Sequence, residues 1–257
     1  MAIYLLKKSY QRKDIKEVNF KDLWDSHGIF TTMWVFGKPN KILFVKQHIK
    51  NLIKSLKHFK LDNAGLEKNI HKLIKLNLKE NKNYNHLLRI AVNRKLISIS
   101  LRKKTKLKKK FSLNLINYKR TKPQFKNLKY KNILKHLHKV DVTSSDIGIC
   151  FNNYILETAT ANILFVNKGK VYSPINKFYR GTTLKFFEKK IGKITKKNIY
   201  IKSLDIYDEI ILIGSGKGVV SVSNVKKIDW TRKSSTTYRF LYKIYQKAVT
   251  NCPRYNG

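Results

Sequence analysis

One acid stands alone in a stretch rich in β-branched and apolar residues. Residues 152–174, NNYILETATANILFVNKGKVYSP, join β-branched and apolar runs through Asn152-Asn153 and Asn167-Lys168-Gly169, residues that tolerate positive φ. The pattern reads as a β-hairpin followed by a second tight turn, with Glu157 on a strand of otherwise buried character. A carboxylate in an apolar layer is costly unless a cation or a hydrogen-bond donor meets it. Either Glu157 has such a partner, or it faces solvent from an edge strand; this stretch alone leaves both open.

A second candidate is the glycine loop Gly214-Ser215-Gly216-Lys217-Gly218. A dinucleotide fingerprint would put its third glycine at Val219 and a helix next, but VVSVSNV alternates as a strand does. The GxxxxGK spacing of a P-loop is also absent. What remains is either a plain strand-to-strand turn or one whose amides and Ser215 hydroxyl hold a single phosphate group. His136 and His138 flank one residue of a predicted helix and point apart, and the seven histidines suggest no catalytic triad. Cys150 and Cys252 form neither a CxxC pair nor a disulfide framework, so no metal site is expected.

The 257 residues allow one large domain or two small ones. A hydrophobic fraction of 42% with 12% aromatics fits a packed core. Fifty-six Lys and Arg against 15 Asp and Glu give a net charge of +41, which invites a polyanion partner. The lysines are spread along the chain, however, and accompany many Ile and Asn, the composition an AT-rich coding sequence produces. Only 102–110, RKKTKLKKK, is a basic run, and it lacks aromatics to stack on bases. No specific nucleic-acid partner is expected, only retention on DNA at low salt. No apolar run reaches the roughly 20 residues of a membrane span, and Ala2–Leu6 is too short for a signal-peptide core, so a soluble cytoplasmic protein is expected.

The elements that must position these residues alternate between the two periods. Strands are predicted at Ala2–Leu6, Ile29–Phe36, Lys41–Val45, Leu87–Val92 and Leu96–Leu101, with helices over Gln47–Phe59 and, after a cap signal at Asn63, around Leu66–Ile74. The second half offers helices over Leu128–Val140, Thr182–Ile191 and Thr236–Ala248, and strands at Ile199–Ile201, Glu209–Ile213 and Val219–Val222. The class is mixed α/β. The lysine-rich stretch reaching Pro123 divides it into a smaller domain at 1–112, a linker at 113–127 and a larger domain at 128–257.

Several segments fall in a familiar order: Lys129 followed by Asn132, then Glu157-Thr-Ala-Thr-Ala-Asn162-Ile-Leu-Phe-Val, Ser173-Pro174, Arg180-Gly181-Thr182-Thr183 and Ile213-Gly214-Ser215-Gly216. With Gly28-Ile-Phe-Thr-Thr, His48-Ile-Lys-Asn-Leu52 and Arg89-Ile-Ala-Val-Asn-Arg94, they make the chain resemble the class IV aminotransferases from about Gly28 to Val222. These are the fold-type IV pyridoxal-phosphate (PLP) enzymes, which include branched-chain aminotransferase, D-amino-acid transaminase and 4-amino-4-deoxychorismate lyase. The resemblance implies a two-domain fold with the cofactor between the domains, and a homodimer whose partner contributes to the pocket entrance.

By the same resemblance, Lys129 in the larger domain forms the Schiff base with PLP and acts as general base and acid, its amine made reactive by desolvation and nearby positive charge. Glu157 faces the pyridine nitrogen, and Thr182, Thr183, Ser215 and Gly216 hold the phosphate. Where the family's HxxRL helix offers an arginine to that phosphate, this chain has Asn51; Lys50, Lys54 or Arg180 is left to replace it. The short chain, the Lys129–Asn132 spacing and Thr158-Ala159 after Glu157 look most like the lyase, which releases pyruvate and 4-aminobenzoate on the folate pathway. A branched-chain or D-amino-acid aminotransferase, and a non-catalytic basic binding protein on the same fold, are the alternatives.

Overall fold

The computed structural model describes residues 3–257 and separates into two compact units. The first runs through Lys104 and takes in Lys126–Lys131 and Asn251–Gly257; the second comprises Thr105–Phe125 and Asn132–Thr250.

In the first unit, β1 (Tyr4–Gln11), β2 (Glu17–Val18), β3 (Gly28–Gly37) and β4 (Lys41–Ile42) precede α1 (Val45–His58) and α2 (Leu66–Asn77), and β5 (Tyr84–Asn93) and β6 (Leu96–Lys103) complete a six-stranded antiparallel sheet of order β2-β1-β6-β5-β3-β4. Its long central strands bury Met33, Val35, Leu88, Ile90, Ile97 and Ile99, while α1 buries Ile49, Leu52 and Leu56 and α2 buries Ile70, Leu73 and Ile74. Those helical residues recur every three or four positions, so each helix turns one apolar stripe inward and leaves its lysines outside. Two sequence expectations change here. The strand from Lys41 stops at Ile42, because Phe44 adopts a left-handed φ of 57° and the chain enters α1 at Val45. The cap of α2 is Gly65, at φ 79°, rather than Asn63. Ala2, where the first strand was expected to start, lies outside the described residues.

The second unit contains β7 (Ser112–Asn117), most of α3 (Lys131–Leu137), β8 (Ser145–Phe151), β9 (Tyr154–Thr158), β10 (Asn162–Asn167), β11 (Lys170–Ser173), α4 (Thr182–Ile191), β12 (Thr195–Lys196), β13 (Glu209–Gly214), β14 (Gly218–Ser221), β15 (Asn224–Lys226), β16 (Trp230–Thr231) and α5 (Thr236–Thr250). Two five-stranded sheets form, β12-β11-β10-β13-β14 and β16-β15-β7-β8-β9. Phe111, just before β7, with Leu113, Cys150 and Ile155 from the second and Phe165, Ile210, Leu212 and Val220 from the first, belongs to one buried cluster.

Residues 113–127 are therefore not a linker, and the division at 112 and 128 is corrected. β7 pairs in parallel with β8, and a parallel pair needs a long crossover, which the lysine-rich chain after Asn117 supplies. The helix expected from Leu128 starts only at Lys131, and Ile199–Ile201 is not a strand: Ile201–Ile206 winds into a 3-10 helix. Among the described residues no helix is long and apolar enough to cross a membrane.

The buried titratable groups of the first unit include a histidine. The His48 ring on α1 shares a 2.9 Å hydrogen bond through Nδ1 with the Thr31 hydroxyl of β3. Burial, and then the charge of Lys126, push its pKa down from 6.5 to about 3. The unfolded chain thus takes up this proton first: the stability owed to a neutral His48 is fully present above 6.5 and is lost as pH falls toward 3. Going from neutral pH to about pH 4 should cost the wild type about 3 kcal/mol more than His48→Gln in urea unfolding. Equal losses in the two proteins would contradict this.

Candidate active site

Glu157 lies at the far end of the hairpin β8–β9, whose turn residues Asn152 and Asn153 take φ of 51° and 63°. β9 is an edge strand, yet the Glu157 carboxylate points inward and is 4% exposed. Its cation is Arg120, from the crossover after β7: Nη1 donates to Glu157 Oε1, and both side chains are buried. The guanidinium is itself aimed by donation to the carbonyls of Pro123 and Phe125, at 3.3 and 2.9 Å. On the other side, Glu157 Oε2 accepts the backbone N–H of Tyr179 at 3.3 Å. The partner the lone acid demanded is thus a residue the sequence reading missed. Arg120 is the only arginine between Arg102 and Arg180, and a planar, always-charged fork is what a buried carboxylate selects over lysine.

Tyr179 opens the approach to α4. Asn162 on β10 clamps that approach, with Nδ2 donating to the Tyr179 carbonyl at 2.6 Å and Oδ1 accepting the Gly181 N–H at 3.0 Å. A Cβ on Gly181 would come within 2.8 Å of Asn162 Oδ1, so only glycine closes this contact. Glu157 and Asn162 together fix 179–181, and α4 then begins with Thr182 and Thr183, both buried. The N-cap residue Gly181 has no side chain to cap the helix, and Thr183 Oγ1 is buried without a hydrogen-bond partner. An orphaned hydroxyl costs roughly 1–3 kcal/mol, and beside the positive end of a helix a phosphate oxygen is the partner it lacks. The residues therefore fit a phosphorylated cofactor. Ser215 and Gly216 occupy the half-buried turn between β13 and β14, where Gly214 pairs with Gly218 at φ 74°. The strand that follows excludes a dinucleotide fingerprint at this turn.

Lys129 belongs to the first unit, not to the larger domain as expected. Residues 126–128 are strapped to the start of β3: Phe30 N–H donates to Lys126 O, Leu128 N–H to Gly28 O, and Asp25 N–H to Leu128 O, each at 2.9 Å. A Cβ on Gly28 would collide with the Val92 carbonyl of β5 and come within 2.6 Å of the Leu128 side chain, so glycine is required where β3 meets β5 and the strap. Tyr130 is buried beside Trp24 and Phe30, their ring centroids 5.9 and 5.6 Å from its own, and Lys129 between these anchors projects outward, its amine donating to the Asp25 carbonyl at 2.5 Å. Its side chain is exposed, so burial within the chain does not supply the desolvation expected of it.

The residues considered for the missing arginine are also placed. Asn51 is buried on α1, where its side chain accepts from Gln47 Nε2 at 2.9 Å. Lys50 and Lys54 line a groove of about 590 Å³ with Ile49, Ile53 and Glu67. Arg180 is exposed and pairs with Glu188 at 2.6 Å. Among the described residues no group of three or more His, Cys, Asp or Glu could hold a metal ion.

Two substitutions test this geometry. Arg120→Ala strands a buried carboxylate and should lower the unfolding free energy by about 3–5 kcal/mol, with part of the loss recovered by adding Glu157→Gln; a loss under about 1 kcal/mol would mean the pair is not formed. Thr183→Val removes the orphaned hydroxyl and should leave the free protein as stable or more so, by up to about 1 kcal/mol, while weakening its hold on PLP. A Thr183→Val protein that binds PLP as wild type does would remove Thr183 from the site.

Comparison with known proteins identifies the family and the fold. A family model for class IV aminotransferases matches residues 28–225. No curated protein sequence matches the chain. Among solved structures, the fold is similar to a branched-chain aminotransferase from the archaeon Thermoproteus uzoniensis, at TM-score 0.78 and 12% identity over 96% of this chain and 94% of that one. It is also similar to a hypothetical aminotransferase from Mycobacterium tuberculosis in its PLP-bound form, at 0.73 and 13% over 94% and 98%. A candidate 4-amino-4-deoxychorismate lyase from Legionella pneumophila matches at 0.69 and 18% over 86% and 91%. The chain belongs to the class IV aminotransferase family, the PLP-dependent aminotransferases and lyases.

Proposed function

We propose that this protein is a 4-amino-4-deoxychorismate lyase that binds PLP through Lys129, Glu157, Thr182, Thr183, Ser215 and Gly216 and releases pyruvate and 4-aminobenzoate for folate synthesis, as a cytoplasmic homodimer. The observation that carries the cofactor reading is the short link between a buried carboxylate and an orphaned hydroxyl: Glu157 accepts from Tyr179 N–H, and two residues after Gly181 comes Thr183. One group meets a protonated ring nitrogen, the other a phosphate oxygen. The choice of the lyase rests on the Lys129–Asn132 spacing and on Thr158-Ala159 after Glu157.

Bound PLP supplies an electron sink for the pair released at the carbon bearing the substrate's amino group. The chain's own residues do the rest. Glu157, kept in place by Arg120, holds the proton on the ring nitrogen. Thr182, Thr183, Ser215 and Gly216 hold the phosphate by hydroxyls and amides. Lys129 anchors the cofactor and removes the proton from the amino-bearing ring carbon. The neighbouring C–O bond then breaks with its electron pair going to oxygen, the enolpyruvate takes up a proton to become pyruvate, and the ring becomes aromatic. The cofactor phosphate is held without the family's arginine, since Asn51 stands in its place, so PLP retention should be weaker than in arginine-bearing relatives.

Purified protein supplied with aminodeoxychorismate should form 4-aminobenzoate and pyruvate in equal amounts, and Lys129→Ala should abolish both product formation and the borohydride-reducible visible-edge absorbance. No 4-aminobenzoate, together with glutamate formed from 2-oxoglutarate and leucine or D-alanine, would replace the lyase by a transaminase. Absence of the absorbance band in the wild type would remove the cofactor reading altogether.

A further inference from the structure

The lysine of the glycine loop does not face outward. The Lys217 side chain is 7% exposed, its amine 3.7 Å from Asp146 Oδ2 and 4.6 Å from the centre of the Phe111 ring. Asp146, on β8, is fully buried. It gathers donors from three places: the Ile147 N–H at 2.8 Å on Oδ1, and the hydroxyls of Thr158 and Thr160 at 2.8 and 2.6 Å on Oδ2, beside the Lys217 ammonium. The two threonines belong to the turn that follows Glu157, which Thr158 closes by accepting the Ala161 N–H at 2.9 Å. Independently, Gly214 packs against that turn: a Cβ there would sit 3.3 Å from the Thr160 carbonyl and 3.4 Å from Ala161. One buried carboxylate therefore fastens the turn after Glu157 to the turn carrying Ser215 and Gly216.

We propose that Asp146 and Lys217 are positioning residues, an internal ionic strut that sets the Ser215–Gly216 turn at the height where its amides and hydroxyl receive a phosphate. The inference rests on the cofactor reading above and adds residues that it does not use. A lysine in a glycine-rich loop is ordinarily a direct phosphate donor. Here its charge is spent on Asp146, so it acts on the phosphate only through the backbone it holds. Breaking a buried pair leaves an uncompensated charge, but in Lys217→Met the Asp146 carboxylate keeps two hydroxyls and an amide, enough to keep the unit folded.

The test compares two aldehydes that differ only in the phosphate. Lys217→Met and Asp146→Asn, each checked for folding by circular dichroism, are titrated with pyridoxal 5'-phosphate and with pyridoxal, following the borohydride-reducible absorbance. The strut predicts at least a tenfold loss of affinity for the phosphorylated aldehyde, less than twofold for pyridoxal, and recovery of most of the loss in Lys217→Arg. Equal losses for both aldehydes, or no loss for either, would overturn it. If Asp146→Asn does not fold, the Lys217 variants decide the question alone. Wild-type protein that takes up neither aldehyde would overturn the cofactor reading, a distinct outcome from wild type that binds both and variants that lose both alike.

Discussion

A carboxylate sealed away from water beside a guanidinium sets the terms for the second unit. The pair draws together the crossover after β7, the end of β9 and the loop entering α4, because Arg120 also holds the carbonyls of Pro123 and Phe125 and Glu157 also holds the Tyr179 amide. Such pairs contribute little net stability, since desolvating two charges offsets most of their attraction, and an apolar pair of similar volume often serves a core as well. Its presence at the edge of a sheet calls for a role other than holding the fold. The proposed function supplies one, a carboxylate kept in one orientation for the ring nitrogen of PLP.

Acids are scarce in this chain, 15 against 56 bases, and the buried ones divide the work. In the proposed function Glu157 serves the cofactor and Asp146 its supports. Glu209 starts α5, accepting the N–H groups of Thr237 and Tyr238 at 2.8 Å. The excess of lysine falls on exposed strands, loops and helix faces, such as that of α1, where Lys46, Lys50, Lys54 and Lys57 stand outside the buried stripe. A high positive charge and a packed α/β enzyme are thus compatible: the bases occupy positions that any soluble face tolerates, while the few buried acids are individually accounted for.

Much of this was legible in the residues. Periodicity located α1, α2, α4 and α5 to within a few residues, and paired asparagines marked the β8–β9 turn, because each signal is local. The need of Glu157 for a partner was legible too, but the identity of that partner was not. Arg120 lies 37 positions away, and only the parallel pairing of β7 with β8 brings it back. The same pairing turns a stretch that composition marks as a linker into a strand and its crossover. Lys217 was readable as a loop lysine, whereas its inward turn depends on Asp146, a contact between distant elements. Lys129 was placed by order in the chain, yet its strap to β3 assigns it to the first unit.

The most direct test of the central claim is the protonation state of the cofactor's ring nitrogen, read by nitrogen-15 NMR of labelled PLP bound to the protein. A carboxylate paired with Arg120 and serving the ring, as proposed, predicts a protonated nitrogen that loses its proton in Glu157→Gln. An unprotonated nitrogen in the wild type, or a signal unchanged by that substitution, would show that Glu157 and Arg120 serve only each other.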